Sequence, residues 1–280
     1  MEERIAVLGF GVMGEALVKS MVSSGVTSKE KLVVTDASPE RLKAASQYGL
    51  EATSSNAHAV SGADVVIIAV KPQNVPALAE EIRTSLDKQT VISIAAGIST
   101  AYLEDALGVL PIIRVMPNIC CTVSRGVLAV SRGRYVQPNH METATRLLGP
   151  SGQVIPVQET LMDGVTGLSG SGPAFMFVVL EALADAGVRV GFDRRTSMQM
   201  AAWTMLGSAE LVLGSGKHPA ELKDMVTSPG GTAIAGIHAL EKAGLRAAIM
   251  DAVNVATERS AELGQRAASH RTLGTKRATR

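Results

Sequence analysis

The stretch IAVLGFGVMGEAL, residues 5–17, decides the fold of this chain. The apolar run at its start predicts a β-strand, and the glycines behind it have the spacing G-x-G-x-x-G at the opening of a helical pattern. Gly9 would permit a tight turn, Gly11 would let a pyrophosphate approach the backbone, and Gly14 would let the helix pack closely on the strand. The stretch therefore predicts a dinucleotide site, with an ordinary glycine turn as the alternative. Its members are Gly9, Phe10, Gly11, Val12, Met13 and Gly14.

Strand and helix patterns alternate from this turn up to about residue 158. Continuous apolar runs such as ADVVIIAV (63–70) and TVISIAAG (90–97) are typical of parallel strands that are covered on both faces. Helical patterns accompany them at 75–86 and 100–107. This alternation predicts an α/β fold with an N-terminal Rossmann-type doubly wound sheet, the dinucleotide-binding domain, over residues 1–158.

After residue 159 the strand patterns stop and only helical patterns follow. We predict an all-helical C-terminal domain over residues 159–266 and a basic, flexible tail over residues 267–280. The pattern at 173–191 is apolar nearly all round, so we expect a second subunit to cover it and the domain to serve dimerisation. The other helical patterns lie at 194–216, 233–244 and 246–263.

Composition excludes several classes of protein. Hydrophobic residues make up 46% of the 280 residues, aromatic residues only 3%, and the net charge is +1, which favours a globular protein without a nucleic-acid partner. The charged opening does not fit a signal peptide, and the longest apolar runs are too short to cross a membrane. Adjacent Cys120 and Cys121 give no disulfide framework, so we expect a cytoplasmic protein. The five histidines lack metal-ligand spacing, and no metal site is predicted.

The cofactor is predicted to be NADH or NADPH, with Asp36 favouring NADH. Asp36 ends the second strand, where a carboxylate accepts hydrogen bonds from the adenosine ribose and repels a 2′-phosphate. Ser38 and Arg41 follow closely and could serve a phosphate instead, and a helix-capping role for Asp36 or Ser38 is a further alternative.

Other candidate cofactor contacts follow later strands, because an open α/β sheet binds ligands at the carboxyl ends of its strands. The alternatives are a solvated loop lysine at Lys71, a structural turn at Asn118 and a helix cap at Asn56. The candidates are Asn56, Ala69, Val70, Lys71, Pro72, Ala95, Ala96, Gly97 and Asn118.

Six motifs occur in an order and at spacings that resemble pyrroline-5-carboxylate reductases across residues 4–263: GFGVMGEAL, AVKPQ, RVMPN, VTGLSGSGPAFMF, EALADAG and HPAELKDMVTSPGGTAIAGIHALEKAG. The resemblance implies hydride transfer from NAD(P)H to the imine carbon of 1-pyrroline-5-carboxylate, which gives L-proline and ends proline biosynthesis. It also implies a homodimer as the minimal unit, whose active site lies between one subunit's cofactor domain and its partner's helical domain. The alternatives are a reductase of another cyclic imine or of a small β-hydroxy acid, and a non-catalytic nucleotide-binding homologue.

The loop TSPGGTA, residues 227–233, is the candidate substrate site, because a glycine-rich turn at a helix start offers free amides to a carboxylate. Family members usually carry a hydroxyl where this chain has Ala233, and it is assigned to the imine or amine nitrogen. Some members have Asn where this chain has Met225. Thr232, a water molecule or a different substrate could account for the missing donor. The resemblance implies catalytic roles for Ser228 and Thr232 and substrate binding by Glu159, Ser228, Gly230, Gly231, Thr232 and Ala233.

Overall fold

The structure, a computed structural model, describes the backbone of residues 3–275 and the side chains of residues 3–264. Its eight strands are β1 (Ile5–Leu8), β2 (Leu32–Thr35), β3 (Glu51–Thr53), β4 (Val65–Ile68), β5 (Thr90–Ser93), β6 (Ile112–Pro117), β7 (Gly126–Arg132) and β8 (Gly152–Pro156). They form one sheet in the order β3-β2-β1-β4-β5-β6-β7-β8. The chain order reverses between β1 and β4, which confirms the predicted Rossmann-type sheet and places its switch point there.

Every neighbouring pair in the sheet is parallel except β6 and β7. The apolar run GVLAV at 126–130 continues the strand series in the sequence and is expected to be parallel, but the structure pairs it antiparallel to β6. Only residues 118–125 separate the two strands, and a parallel connection needs a crossover of about a dozen residues or more. The connection is therefore long enough only for an antiparallel return.

Helices cover both faces of the sheet and explain why its strands are apolar throughout. Ile5 and Val7 pack into one core with helices α1 (Val12–Ser23), α2 (Pro39–Gln47) and α6 (Pro138–Leu148). Ala6 and Leu8 pack into the other core with α3 (Asn56–Val60), α4 (Val75–Ile82) and α5 (Thr100–Leu107). All four side chains of β1 are 0% exposed, so alternating residues fill opposite cores.

The described residues divide into two compact units: one is made of residues 3–170 and 256–275, and the other of Ser171–Val255. The first unit also contains the short helix α7 (Met162–Val165) and the π-helical turn Thr166–Gly170. Only helices form the second unit, which confirms the helical character predicted for this part of the chain, while the domain bounds 159–266 stay a prediction. They are α8 (Gly172–Arg189), α9 (Arg194–Ser215), α10 (Pro219–Met225), α11 (Thr232–Lys242) and the beginning of α12 (Leu245–Thr275).

Helix α12 is longer than its sequence pattern predicted, because its backbone stays helical as far as Thr275. The predicted end near residue 263 is therefore wrong, and part of the predicted flexible tail is helical backbone. The added segment contains Ala267 and Ala268, residues of high helix propensity that the apolar periodicity did not count. The rest of the predicted tail, residues 276–280, lies outside the described residues.

Large apolar side chains remain exposed on the unit Ser171–Val255. Phe177 is 60% exposed, Trp203 72% and Leu213 83%. By length and composition alone, the segment Glu159–Arg189 is also apolar enough to cross a membrane, with a mean hydropathy of 1.4 over its most apolar window. Such a surface on a single chain is typical of a helical domain that another subunit covers.

Candidate functional site

The glycine turn at the carboxyl end of β1 has the geometry expected of a dinucleotide turn. Gly9 has a φ of +107°, and a Cβ atom there would lie 2.7 Å from the carbonyl oxygen of Ala69. A Cβ atom on Gly14 would collide with the carbonyl oxygen of Gly9, so this glycine permits the close contact of helix and strand. At Gly11 an added Cβ atom would meet nothing within 4 Å, which leaves open space beside the turn.

The start of α1 fits a phosphate group. Gly11 is the N-cap residue and provides no side-chain cap, so the first-turn amides of Val12, Met13 and Gly14 are not satisfied by a capping side chain. Val12 is 57% exposed, which keeps this end of the helix open to solvent. Uncapped amides at the positive end of a helix dipole form an anion site, and the space beside Gly11 at this helix start is open. The residues present thus fit the pyrophosphate of a dinucleotide.

The backbone of Phe10 is held by hydrogen bonds at both its N–H group and its carbonyl oxygen. Its N–H donates to Oδ2 of Asp36 at 2.8 Å, and its carbonyl oxygen accepts from the Arg41 guanidinium at 2.9 Å. The Phe10 ring is 2% exposed and belongs to the core. Phe10 therefore fixes the turn, its N–H is bonded within the protein, and its contact with a cofactor stays a prediction.

Asp36 also holds the turn that leads into α2. Its Oδ1 accepts from the Ser38 N–H at 2.9 Å, and the Ser38 hydroxyl accepts from the Arg41 N–H at 3.5 Å as the N-cap of α2. Each carboxylate oxygen of Asp36 keeps a second acceptor lone pair, so a ribose hydroxyl can still donate to it. Asp36 thus combines a structural role with the geometry of a ribose ligand.

Asn56 has specific partners at the same edge of the sheet. Its Oδ1 accepts from the Thr35 hydroxyl at 2.6 Å, and its Nδ2 donates to Oε2 of Glu81 at 2.9 Å. Its backbone N–H donates to Oε1 of Glu81 at 3.2 Å, while Ser55 is the N-cap of α3. The helix-cap alternative for Asn56 is therefore wrong, and its cofactor contact stays a prediction.

The segment after β4 lies next to the glycine turn. The Ala69 N–H donates to the Leu8 carbonyl oxygen at 2.8 Å, and Ala69 and Val70 are half-buried. Lys71 is exposed, and Pro72 begins a short 3₁₀ turn. After β5, Ala95 is buried, Ala96 is exposed and Gly97 has a φ of +73°. Their contacts with a cofactor stay predictions.

Asn118 is a structural residue in this geometry. The side chain is 7% exposed, its Nδ2 donates to the Ser169 carbonyl oxygen at 3.0 Å, and its Oδ1 accepts from the Val127 N–H at 3.2 Å. It thereby joins the end of β6 to β7 and to the π-helical turn. We keep Asn118 out of the proposed cofactor set because these contacts use its amide inside the fold.

Glu159 likewise has internal partners. Its Oε1 accepts from the Thr100 N–H at 2.8 Å and from the Arg114 guanidinium at 3.2 Å, and its Oε2 accepts from the Thr100 hydroxyl at 2.6 Å. The Arg114 side chain is only 11% exposed, so this ion pair is largely shielded from solvent. Glu159 stabilises the start of α5 and the neighbouring strand, and we keep it out of the proposed substrate set.

We expect Glu159→Ala to lower the free energy of unfolding by about 2 kcal/mol, because it leaves the Arg114 guanidinium without its partner. The KM for the substrate should stay within about twofold of the original value, since stability and not binding is affected. Urea unfolding and steady-state kinetics measure the two effects, with Glu142→Ala at an exposed position of α6 as the matched control. A raised KM at unchanged stability would return Glu159 to the substrate site.

The loop before α11 forms a tight turn. The Gly231 N–H donates to the Ser228 carbonyl oxygen at 3.0 Å, with Pro229 and Gly230 between them and a φ of +68° at Gly230. This is the geometry of a type II turn, in which proline precedes a glycine of positive φ. A Cβ atom on Gly231 would collide with the Ser228 hydroxyl and crowd the Ser228 carbonyl oxygen, so a larger residue there would displace the Ser228 side chain.

The beginning of α11 offers donors to an anion. Gly231 is its N-cap and provides no side-chain cap. Within the described part of the chain, the exposed hydroxyls of Ser228 and Thr232 have no hydrogen-bond partner. Ala233 occupies the next position and is half-buried. The turn therefore presents uncapped amides and two unpaired hydroxyls on one short segment.

The cysteines and the potential metal ligands do not add a site. Cys121 is buried, and burial raises the pKa of its thiol, so it stays protonated at neutral pH. Among the described residues, no three His, Cys, Asp or Glu side chains are grouped as metal ligands.

A Rossmann-type sheet with an open glycine turn at its switch point, followed by a helical domain, is the arrangement of a dinucleotide-dependent oxidoreductase. A family model described as pyrroline-5-carboxylate reductase dimerisation matches residues 159–263, and one described as coenzyme F420-dependent NADP oxidoreductase matches residues 4–97. A pyrroline-5-carboxylate reductase of Methanosarcina acetivorans is 43% identical over 94% of this chain, so the chain belongs to the pyrroline-5-carboxylate reductase family.

The similarity extends over nearly the whole chain. The pyrroline-5-carboxylate reductase of Methanosarcina acetivorans is 43% identical over 94% of this chain and 99% of its own length. That of Pisum sativum is 39% identical over 91% of this chain and 94% of its own length. Among solved structures, the reductase of Coxiella burnetii superimposes with a TM-score of 0.89 at 31% identity, over 94% of this chain and 99% of its own. The Plasmodium falciparum reductase with NADP bound superimposes with a TM-score of 0.85 at 30% sequence identity, also over 94% of this chain and 99% of its own.

Sequence reasoning missed the residues that support the site from a distance. Glu81 and Thr35 hold Asn56, and Arg114 and Thr100 hold Glu159. Arg114 opens the motif RVMPN, but nothing in that motif indicates its partner, and the other three residues belong to no quoted motif. Only the spatial neighbourhood of the strand ends could have indicated them.

Proposed function

We propose that this protein reduces 1-pyrroline-5-carboxylate to L-proline with NADH or NADPH. The observation that carries the proposal is the similarity to pyrroline-5-carboxylate reductases over 94% of the chain at 43% identity. The test is an assay of the purified protein with racemic 1-pyrroline-5-carboxylate and each cofactor, followed by the cofactor's absorbance. We expect oxidation of the cofactor; binding of a cofactor without turnover of either would contradict the proposal.

The chemistry requires orientation more than a strong acid. A reduced nicotinamide supplies a hydride to the imine carbon when it is bound. A cyclic imine is protonated readily, so the protein must hold the ring in place and hydrogen-bond its nitrogen and its carboxylate. The glycine turn at 9–14 holds the pyrophosphate with the first-turn amides of α1.

The turn at 228–232 binds the substrate. Uncapped amides at the start of α11 and the Ser228 hydroxyl accommodate the carboxylate, which fits the positive end of a helix dipole. Thr232 takes the role of the donor that Ala233 cannot provide, because its hydroxyl is exposed and without a partner in the described structure. The support for these roles is the geometry of the turn and its place in the family motif.

NADH is the preferred cofactor in this proposal. The Asp36 carboxylate at the end of β2 accepts from ribose hydroxyls and repels a 2′-phosphate, while one N–H group of the Arg41 guanidinium is bonded to the Phe10 carbonyl oxygen. The P. falciparum relative was solved with NADP, so the family does not decide the matter. A kcat/KM several times higher for NADH than for NADPH is expected, and a strong preference for NADPH would overturn it.

The protein acts as a homodimer or a larger homo-oligomer in the cytoplasm, with no membrane or nucleic-acid partner. The exposed Phe177, Trp203 and Leu213 support this assembly, as does the match of residues 159–263 to a dimerisation domain. Acidic Glu181 and Asp185 within α8 argue that protein and not lipid covers this apolar helix. Sedimentation of the detergent-free protein as a dimer or more is expected; a stable monomer would exclude it.

A further inference from the structure

Glu81 on α4 is bonded to Asn56 through both carboxylate oxygens. Oε2 accepts from the Asn56 side-chain amide at 2.9 Å, and Oε1 accepts from the Asn56 backbone N–H at 3.2 Å. One contact is to the Asn56 side chain and the other to its backbone, so the carboxylate is anchored at the start of α3 while it holds the nitrogen of the side-chain amide. The Thr35 hydroxyl donates to the oxygen of this side-chain amide at 2.6 Å, so the amide is held at its oxygen by Thr35 and at its nitrogen by Glu81.

This network lies at the ribose end of the proposed dinucleotide site. Thr35 is the last residue of β2, and Asp36, the candidate ribose ligand, follows it directly. The Asn56 amide has two N–H groups, and Glu81 uses one of them. The other remains for a ligand. Glu81 also adds a second carboxylate, besides that of Asp36, near the carboxyl ends of β2 and β3.

We infer that Glu81 is a positioning residue that orients the Asn56 amide toward the adenosine ribose and, by its charge, disfavours a cofactor with a 2′-phosphate. The inference deepens the cofactor preference in the proposed function and rests on it. Glu81 does not contact the cofactor in this account: its first effect acts through Asn56, and its second is electrostatic repulsion of the phosphate.

The test is direct cofactor binding without substrate, so a failure of the proposed reaction does not affect it. Dissociation constants for NADH and NADPH are measured by calorimetry on the full chain and on Glu81→Gln. We expect NADH to bind about three- to tenfold more weakly, because glutamine cannot accept both Asn56 hydrogen bonds. The affinity for NADPH should fall by less than that for NADH, or rise, because a negative charge is removed. The ratio of NADPH to NADH affinity should therefore rise about three- to tenfold.

The matched control is Glu80→Gln, which removes the same charge from the exposed neighbour on α4. It should leave both dissociation constants within about twofold of the original values. A merely structural Glu81 would lower the melting temperature and weaken both cofactors equally. An unchanged ratio in Glu81→Gln, or the same change in Glu80→Gln, overturns the inference.

A double-mutant cycle separates the two effects of Glu81. In an Asn56→Ala background, Glu81→Gln should no longer weaken the binding of NADH, because the amide that Glu81 orients is gone. The relative gain for NADPH should persist, because the charge is still removed. Full additivity of the two NADH effects would show that Glu81 does not act through Asn56. If Glu81→Gln does not fold, Thr35→Val tests the same amide from its other side and should weaken NADH without the shift toward NADPH.

Discussion

Gly14→Ala should lower the melting temperature by about 10 °C and abolish measurable cofactor binding. The added methyl group would collide with the carbonyl oxygen of Gly9, and neither the helix nor the turn can move without disturbing β1. Overpacking against a rigid backbone costs about 3 kcal/mol, which corresponds to such a shift in a domain of this size. Thermal unfolding followed by circular dichroism, with calorimetric titration of NADH, measures both effects.

Gly11→Ala is the control for this prediction, because an added Cβ atom there meets nothing in the protein. Its stability should fall by at most about 1 kcal/mol, the cost of replacing an N-cap glycine by alanine. Its cofactor affinity should nevertheless fall about 10- to 100-fold, because the methyl group occupies the space proposed for the pyrophosphate. Equal stability losses in both variants, or full affinity in Gly11→Ala, would contradict the assigned roles.

Thr232→Val should reduce kcat/KM by about 10- to 100-fold, the value of one or two hydrogen bonds made in the transition state. The substitution keeps the shape of the side chain and removes the hydroxyl that we propose as the donor to the ring nitrogen. Steady-state kinetics with 1-pyrroline-5-carboxylate measure the effect. The KM for the cofactor should stay constant, because the hydroxyl serves the substrate.

Thr227→Val is the matched control in the same loop. The Thr227 hydroxyl donates to the Lys223 carbonyl oxygen at 2.6 Å, so its loss should lower stability by about 1 kcal/mol and leave kcat/KM nearly unchanged. Wild-type kinetics in Thr232→Val would exclude the proposed donor role. The reciprocal change Ala233→Thr restores the hydroxyl usual in the family and should recover activity in the Thr232→Val background.

The sequence predicted those parts of the fold that depend on local patterns. The bounds of α5 match the predicted 100–107, and the strand, turn and helix around Gly9 follow from apolar periodicity and glycine spacing. Helix α6 and strand β8 were missed, because α6 is rich in polar residues and β8 is a partly exposed edge strand. The antiparallel β7 depends on the length of a connection and not on the strand itself.

Side-chain partners were beyond prediction, because they come from distant parts of the chain. Asn118 was placed correctly at a strand end, but its side-chain amide donates a hydrogen bond to the carbonyl oxygen of Ser169, 51 residues away. Glu159 was singled out by its family motif, but its carboxylate accepts a hydrogen bond from the hydroxyl of Thr100, 59 residues earlier in the chain. A polar residue near a predicted site is therefore visible in the sequence, whereas only the structure distinguishes a ligand contact from an internal hydrogen bond.

The most direct test of the central claim is to follow the hydride. The purified protein is incubated with 1-pyrroline-5-carboxylate and NADH deuterated at the transferable position of the nicotinamide, and the product is analysed by mass spectrometry. We predict L-proline that carries one deuterium at the former imine carbon, in amounts that match the cofactor oxidised. Oxidised cofactor without deuterated proline, or no reaction although the cofactor binds, would contradict the account.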